Sequence, residues 1–241
     1  MHMDSATVMV QGVRDEIAAP VDAREAQRER ILAAAMRCFA RSGFHKASMQ
    51  DICADAGMSA GNLYRYFRSK EAIIAAIAEA DRVRNAAVFE ILERTEDPVR
   101  GLACLARAFL RDMHGRDAPA LCTEIIAESL RNPEMRAMFE RNINEAHAAC
   151  AAALRRGIER GFVDAGIDVD VTVRLLMALG DGIIAHRPMA DFMTDDRVDT
   201  ALDTLLERFL RPPAAARAAT AVKAYTGNAD TLPSLQPTPS A

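Results

Sequence analysis

Twenty residues, Ser48 to Phe67, constrain this chain more than any other stretch; they read Ser-Met-Gln-Asp-Ile-Cys-Ala-Asp-Ala-Gly-Met-Ser-Ala-Gly-Asn-Leu-Tyr-Arg-Tyr-Phe. Ser48 followed three positions later by Asp51 is a reciprocal capping pattern. It opens a helix by satisfying backbone N–H groups that have no partner at a helix start. Gly57 marks the turn. A left-handed residue there disfavours any Cβ, so glycine ends one helix and redirects the chain. Ser59 can cap the next helix, which runs to about Phe67. Ile52, Met58, Leu63 and Phe67 are spaced to form the small core that clamps the two helices, and Cys53 is small enough to pack beside them. Two short helices joined in this way make a helix-turn-helix, whose second helix enters the DNA major groove.

The residue types on the second helix suit that role. Ser59 aims free N–H groups at phosphate. Ala60, Gly61 and Asn62 fall on the first turn, which reaches base edges. Asn62 has the donor–acceptor pair that bonds adenine bidentately, and small Ala60 and Gly61 allow close backbone approach. Charge is consistent with one polyanion-facing module. The chain carries a net −4, yet residues 24–84 hold eleven Arg/Lys against seven Asp/Glu. The net charge argues against a protein that coats nucleic acid over its whole surface, and a modestly basic head on an acidic body suits one polyanion-facing module, with chance clustering of four charges as the alternative.

The remaining patterning predicts helices throughout. Residues 1–21 lack a persistent period and read as a flexible arm. Asp22 with Glu25 opens a first helix, in which Ile31, Leu32, Ala35 and Phe39 recur at helical spacing and which Gly43 ends. A fourth helix starts at Ser69 or Lys70 and runs to about Arg94. Asp97-Pro98 and Asn132-Pro133 are cap-plus-proline starts. Helical periods cover 98–113, 117–131, about 133–160, 170–186 and 195–211. Asp168 to Val173 alternates polar and apolar, but a lone strand would have no partner, so helix is expected. Pro212-Pro213 ends the fold. The expected class is all-α: a three-helix helix-turn-helix domain at 22–68, a connecting helix at 69–94, a larger helical ligand-binding and dimerisation domain at 95–211, and a disordered tail at 212–241.

The signature Ile52 to Phe67, followed by Ser69-Lys70-Glu71, resembles the N-terminal domain of the TetR/AcrR family of bacterial transcription regulators. The resemblance covers residues 24–84. It implies a homodimer whose C-terminal domain senses a small molecule. By position it also implies that Tyr64 and Tyr66 touch DNA backbone or bases, that Lys70 binds phosphate at the head of the fourth helix, and that Ser48 and Gln50 make similar contacts from the second helix. Arg65 is open between a DNA contact and a solvated charge. Tyr66 is open between a DNA contact and packing of the head. The last two helices are expected to pair with their twins through Val171, Leu175, Leu176, Leu179, Ile183, Leu202, Leu205, Leu206 and Phe209. A two-fold axis then sets two recognition helices about 34 Å apart on a near-palindromic operator.

The body is rich in Met and Phe, which suit an adaptable apolar pocket or plain core packing. Candidates for an effector site are Phe109, Met113, Met138, Phe139, Asn142, His147 and Met177, with Met135 and His186 also considered. His147 and Cys150, three apart, are two ligands and do not make a metal site. Glu124 and Glu128, one turn apart, read as a carboxylate pair or as partners of Arg131. The five cysteines are widely spaced and read as packed thiols in a reducing compartment. No phosphate loop, nucleophile elbow or zinc-protease motif is present, so an enzyme is not expected, nor a metal or cofactor. No signal segment or membrane span is legible, and a cytoplasmic location is expected. The expected function is a ligand-responsive, sequence-specific DNA-binding transcriptional regulator, a repressor released by a small apolar or amphipathic effector; the competing reading is a helical small-molecule-binding protein without DNA function.

Overall fold

The computed structural model describes residues 22–113, 117–189 and 195–213, with the side chains of residues 112 and 195 excepted. The arm expected at 1–21 and all but the first two residues of the tail expected at 212–241 lie outside that set. Among the described residues the regular elements are helical: α1 (Ala23–Lys46), α2 (Met49–Ala56), α3 (Ala60–Tyr66), α4 (Lys70–Arg94), α5 (Pro98–Asp112), α6 (Ala118–Arg131), α7 (Pro133–Glu159), α8 (Val169–His186), a 3-10 turn at Arg187–Met189, and α9 (Asp195–Leu210).

Local chemistry sets most of these boundaries. The Ser48 N–H donates to Asp51 at 2.9 Å and the Asp51 N–H donates to Ser48 Oγ at 3.2 Å, closing the capping box. Ser59, Ser69, Asp97, Asn132 and Asp168 each accept from backbone N–H groups of the helix they precede. The Asp168 cap starts α8 at Val169, so the alternating run there is helical. Gly57 has φ 65° and ψ 40°, the left-handed turn the sequence requires. Gly43 differs from expectation. It breaks α1 at φ 74° and ψ 164°, but one further turn, Phe44 to Lys46, follows because the Ala47 N–H donates back to the Gly43 carbonyl at 3.1 Å.

That extra turn plugs the head onto the body. The Phe44 N–H donates to Glu124 Oε1 at 2.9 Å, and His45 Nε2 lies 3.0 Å from Glu128 Oε2, which Arg131 also approaches at 3.4 Å. Glu128 is 2% exposed. Burial alone pushes its carboxyl up, yet the charge of His45 and hydrogen bonds from Arg131, Asn132 and His45 hold it below the usual carboxylate range. The Glu124–Glu128 pair is therefore a seam between head and body.

Two apolar cores follow. The first gathers Ile31, Phe39, Phe44, Ile52, Leu63, Phe67 and Ile73 with Met135, and Leu121, Ile125, Met138 and Phe139 pack against it. The second gathers Leu92, Val99, Leu110, Leu154, Ile184 and Leu206 from α4, α5, α7, α8 and α9. Helix α6 touches both: Leu121 and Ile125 face the head core, Cys122 the body core. No described helix is long and apolar enough to cross a membrane.

Candidate nucleic-acid interface and effector cavity

The head core holds α2 and α3 by their inner faces and leaves the outer face of α3 uncovered. Leu63 is buried, whereas Ser59, Ala60, Gly61, Tyr64 and Arg65 are exposed and Asn62 is half-buried. Tyr64 is 50% exposed. Ser48, which caps α2, and Gln50 in its first turn are also exposed. Ser59 Oγ accepts from the Asn62 N–H at 3.4 Å, so one of the first-turn donors is committed to the cap. Tyr66 differs from its neighbours, being half-buried and packed against the head core. The arginines of α1 mostly brace the motif. Arg37 and Arg41 pair with Asp55 at 2.5 and 3.5 Å, and Arg30 donates to the Ala56 carbonyl at 3.3 Å, so α2 is fastened at its C-terminal end.

Lys70 does not stand free at the head of α4. Its Nζ donates to the Phe44 carbonyl and, at 3.2 Å, to the Ala47 carbonyl. These oxygens belong to the broken end of α1, which offers unpaired acceptors and a negative dipole end to a cation.

The body encloses a cavity of about 190 Å³ between α4, α5, α7, α8 and α9. Asn85 and Phe89 of α4, Phe109 of α5, Cys150 of α7, and Met177, Gly180 and Asp181 of α8 line it, with aliphatic side chains filling the remainder. Two of the seven expected effector residues, Phe109 and Met177, are here. The other five are elsewhere, each for a visible reason. Met138 and Phe139 pack against the head core, as the buried Met135 does, because α7 closes the seam. Met113 packs against the body core outside the cavity wall. Asn142 donates from Nδ2 to the Ala78 carbonyl at 2.7 Å and pins α7 to α4. His147 Nε2 lies 3.2 Å from the Asp170 carbonyl oxygen, tying α7 to the start of α8. His186 is exposed at the end of α8. No group of three His, Cys, Asp or Glu able to hold a metal occurs among the described residues.

Sequence reasoning missed Asn85, Phe89 and Asp181. Asp181 carried a signal: it is the lone acid in the apolar stretch from Leu175 to Ile184, with glycine on both sides. Burial raises its carboxyl above the usual range. Burial likewise pushes the Cys150 thiol up to about 11, and burial with the nearby negative charge of Asp181 does the same to Cys122, so neither is a ready nucleophile. Among the described residues no cysteine is joined in a disulfide; Cys38, Cys53 and Cys104 are buried.

A second uncovered face lies on the last two helices. Val171 and Leu175 of α8 are 53% and 58% exposed, and Leu205 and Phe209 of α9 are 41% and 47% exposed. Gly182 follows on that face of α8, and a Cβ there would meet nothing within 4 Å.

Residues 31–77 match the family model described as bacterial regulatory proteins, tetR family, and residues 92–205 match the tetracyclin repressor-like C-terminal domain. The HTH-type transcriptional regulator UidR of Escherichia coli K12 is 35% identical over 162 residues, covering 66% of this chain and 80% of that protein. The HTH-type transcriptional repressor Rv1474c of Mycobacterium tuberculosis is 30% identical over 186 residues, covering 77% and 94%. Among solved structures, Salmonella enterica GusR superposes with a TM-score of 0.64 at 32% identity, covering 79% of this chain and 98% of that one. A transcriptional regulator from Saccharomonospora viridis in complex with choline superposes at 0.65 with 25% identity, covering 78% and 98%.

Proposed function

This chain belongs to the tetR family of bacterial regulatory proteins, and from that premise we propose how its geometry regulates transcription. It is a ligand-responsive, helix-turn-helix DNA-binding regulator of the repressor type. The observation that carries the reading is α3, capped by Ser59 and held from behind by Leu63, with its first turn uncovered. Ala60, Gly61 and Asn62 read base edges in the major groove. Ser48, Gln50, Tyr64 and Arg65 position the head on the phosphate backbone, where contacts fix register rather than sequence. Tyr66 contributes from a more packed position. Lys70 reaches phosphate only by sharing or releasing its two carbonyls, so its first role is to fix α4 against α1.

Two copies pair through the uncovered α8–α9 face. Its apolar residues and Gly182, where a second helix can approach closely, support that pairing. The operator is then near-palindromic, with half-sites about one helical turn apart. The protein works in the cytoplasm on chromosomal DNA and catalyses nothing.

The effector enters the body cavity and shifts an existing equilibrium between DNA-competent and incompetent head positions. Helix α4 runs from the head core at Ile73 to the cavity wall at Phe89. Helix α6 joins the two cores and holds the end of α1 through Glu124 and Glu128. Both can transmit a change in the cavity. The fold alone does not set the effector class, since each chain lines the cavity with its own residues. A neighbour that holds choline illustrates only that small molecules are held by this architecture.

Selection from a random duplex library tests the reading. Full-length protein is expected to enrich one two-fold-related sequence, bound with a steep loss of affinity as salt rises. Binding with no sequence preference would overturn it, and would favour the small-molecule-binding alternative.

A further inference from the structure

Resting on the regulator reading above, the cavity lining itself restricts what the effector can be. Among the described residues the wall is almost wholly hydrocarbon, and it contains one ionisable carboxyl group, that of Asp181. No Lys, Arg or His lines the cavity, and Asp181 has no hydrogen bond or ion pair among the described residues. Other shielded carboxylates of this chain are treated differently. Asp55 is held by Arg37 and Arg41, Asp97 by Arg211, and Glu128 by His45 and Arg131. An ionised carboxylate facing hydrocarbon without a partner is unfavourable, and the raised affinity of Asp181 for its proton reflects that burial. A ligand cation placed beside it would supply the missing partner.

Three further features specify that cation. Phe89 and Phe109 line the same space, and aromatic faces attract organic ammonium groups. Gly180 keeps the wall beside Asp181 open: a Cβ there would meet only Phe109, at 3.7 Å, so alanine would fit and would favour the helix more. Glycine at that position preserves space for something else. The volume, about 190 Å³, can be set beside apolar cavities of about 150 Å³, which take up benzene.

We infer that the cavity takes a small amphipathic cation, an apolar body of single-ring size bearing one protonated or quaternary amine, with Asp181 as its counter-ion. A carboxylate-bearing ligand of the same size is rejected, because it would face a like charge with no base in the wall to offset it.

Calorimetric titration of the full-length protein decides the matter, using benzyltrimethylammonium, neutral benzyl alcohol and anionic phenylacetate as probes, on wild type and on Asp181→Asn. The expected order for wild type is the cation bound at least tenfold more tightly than the anion. Asp181→Asn should lose at least tenfold in affinity for the cation and change little for benzyl alcohol. The amide fits the same space, so the variant should keep the wild-type melting transition; Asp181→Ser provides the same charge removal if it does not. Phenylacetate binding as tightly as the cation, cation affinity surviving in both variants, or no cation uptake would each overturn the inference. Operator binding measured on the same samples separates the two claims. DNA binding without cation uptake sinks this inference alone, whereas absence of sequence-selective DNA binding sinks the regulator reading.

Discussion

Two glycine-to-alanine substitutions, at Gly43 and Gly57, should differ severalfold in cost. Gly57 has φ 65° and ψ 40°, and a Cβ built there meets nothing within 4 Å. Only the backbone term remains, about 1–2 kcal/mol for a left-handed non-glycine residue. Reduced entropy of the unfolded chain offsets roughly 0.4–1 kcal/mol of this. Gly57→Ala should therefore cost about 1 kcal/mol, or roughly 2–4 °C in melting temperature for a protein of this size. Gly43 has φ 74° and ψ 164°, a region that only glycine enters readily and that costs other residues of order 1–3 kcal/mol. Its Cβ would stand 2.8 Å from Glu124 Oε1. The carboxylate can swing away, but it then abandons the Phe44 N–H, a bond to a charged acceptor of roughly 1.5–3 kcal/mol. After the same unfolded-state offset, Gly43→Ala should cost about 3 kcal/mol, or roughly 6–12 °C. Asparagine, which tolerates the left-handed region, should recover much of the loss at position 57 and little at 43. Helicity followed on heating the full-length protein measures both. Equal losses at the two positions, or a neutral Gly43→Ala, would refute the claim that Gly43 shapes the head–body seam.

Two other outcomes follow from the seam and from the uncovered face. Because the folded state holds the Glu128 carboxyl below its ordinary range, the stabilisation is present at neutral pH and disappears as pH falls through that lowered value; Glu128→Gln should lower the neutral-pH melting temperature and flatten its acid decline, and an unchanged acid limb would contradict this. Leu175→Lys, on the exposed face of α8, should leave the fold intact and shift sedimentation from dimer to monomer with loss of tight operator binding; an undisturbed dimer would place the pairing surface elsewhere.

What the sequence made legible was local. Ser48 with Asp51, Gly57, Asp97-Pro98 and Asn132-Pro133 act through atoms within a few residues, and the helices begin and end where those patterns place them. Partners distant in the chain were not legible. Glu124 and Glu128 showed their one-turn spacing, but not that Phe44 and His45 wait some eighty positions upstream. The family resemblance implies that Lys70 binds phosphate at a helix start, and nothing local reveals that a broken α1 presents two carbonyls to it. Met138 and Phe139 had the composition of a pocket, yet the head shares its core with α7 and takes them up. Asp181 was passed over inside an apolar run, although an acid flanked by glycines in such a run is itself a signal that space and charge have been kept for a purpose. The exposed face of α3 was read correctly as a surface, since its residues are small or polar around the single buried Leu63.

The most direct test of the account compares Asn62→Ala with Tyr64→Ala on the selected operator and on operators changed one base pair at a time. Asn62→Ala should relax preference at one base position of each half-site, by about 1–3 kcal/mol, while leaving other positions alone. Tyr64→Ala should weaken all sequences alike and leave folding stability within about 0.5 kcal/mol of wild type, as expected for an exposed side chain. Variants that bind every sequence as the wild type does would show that α3 does not face DNA, and the account would fail at its foundation.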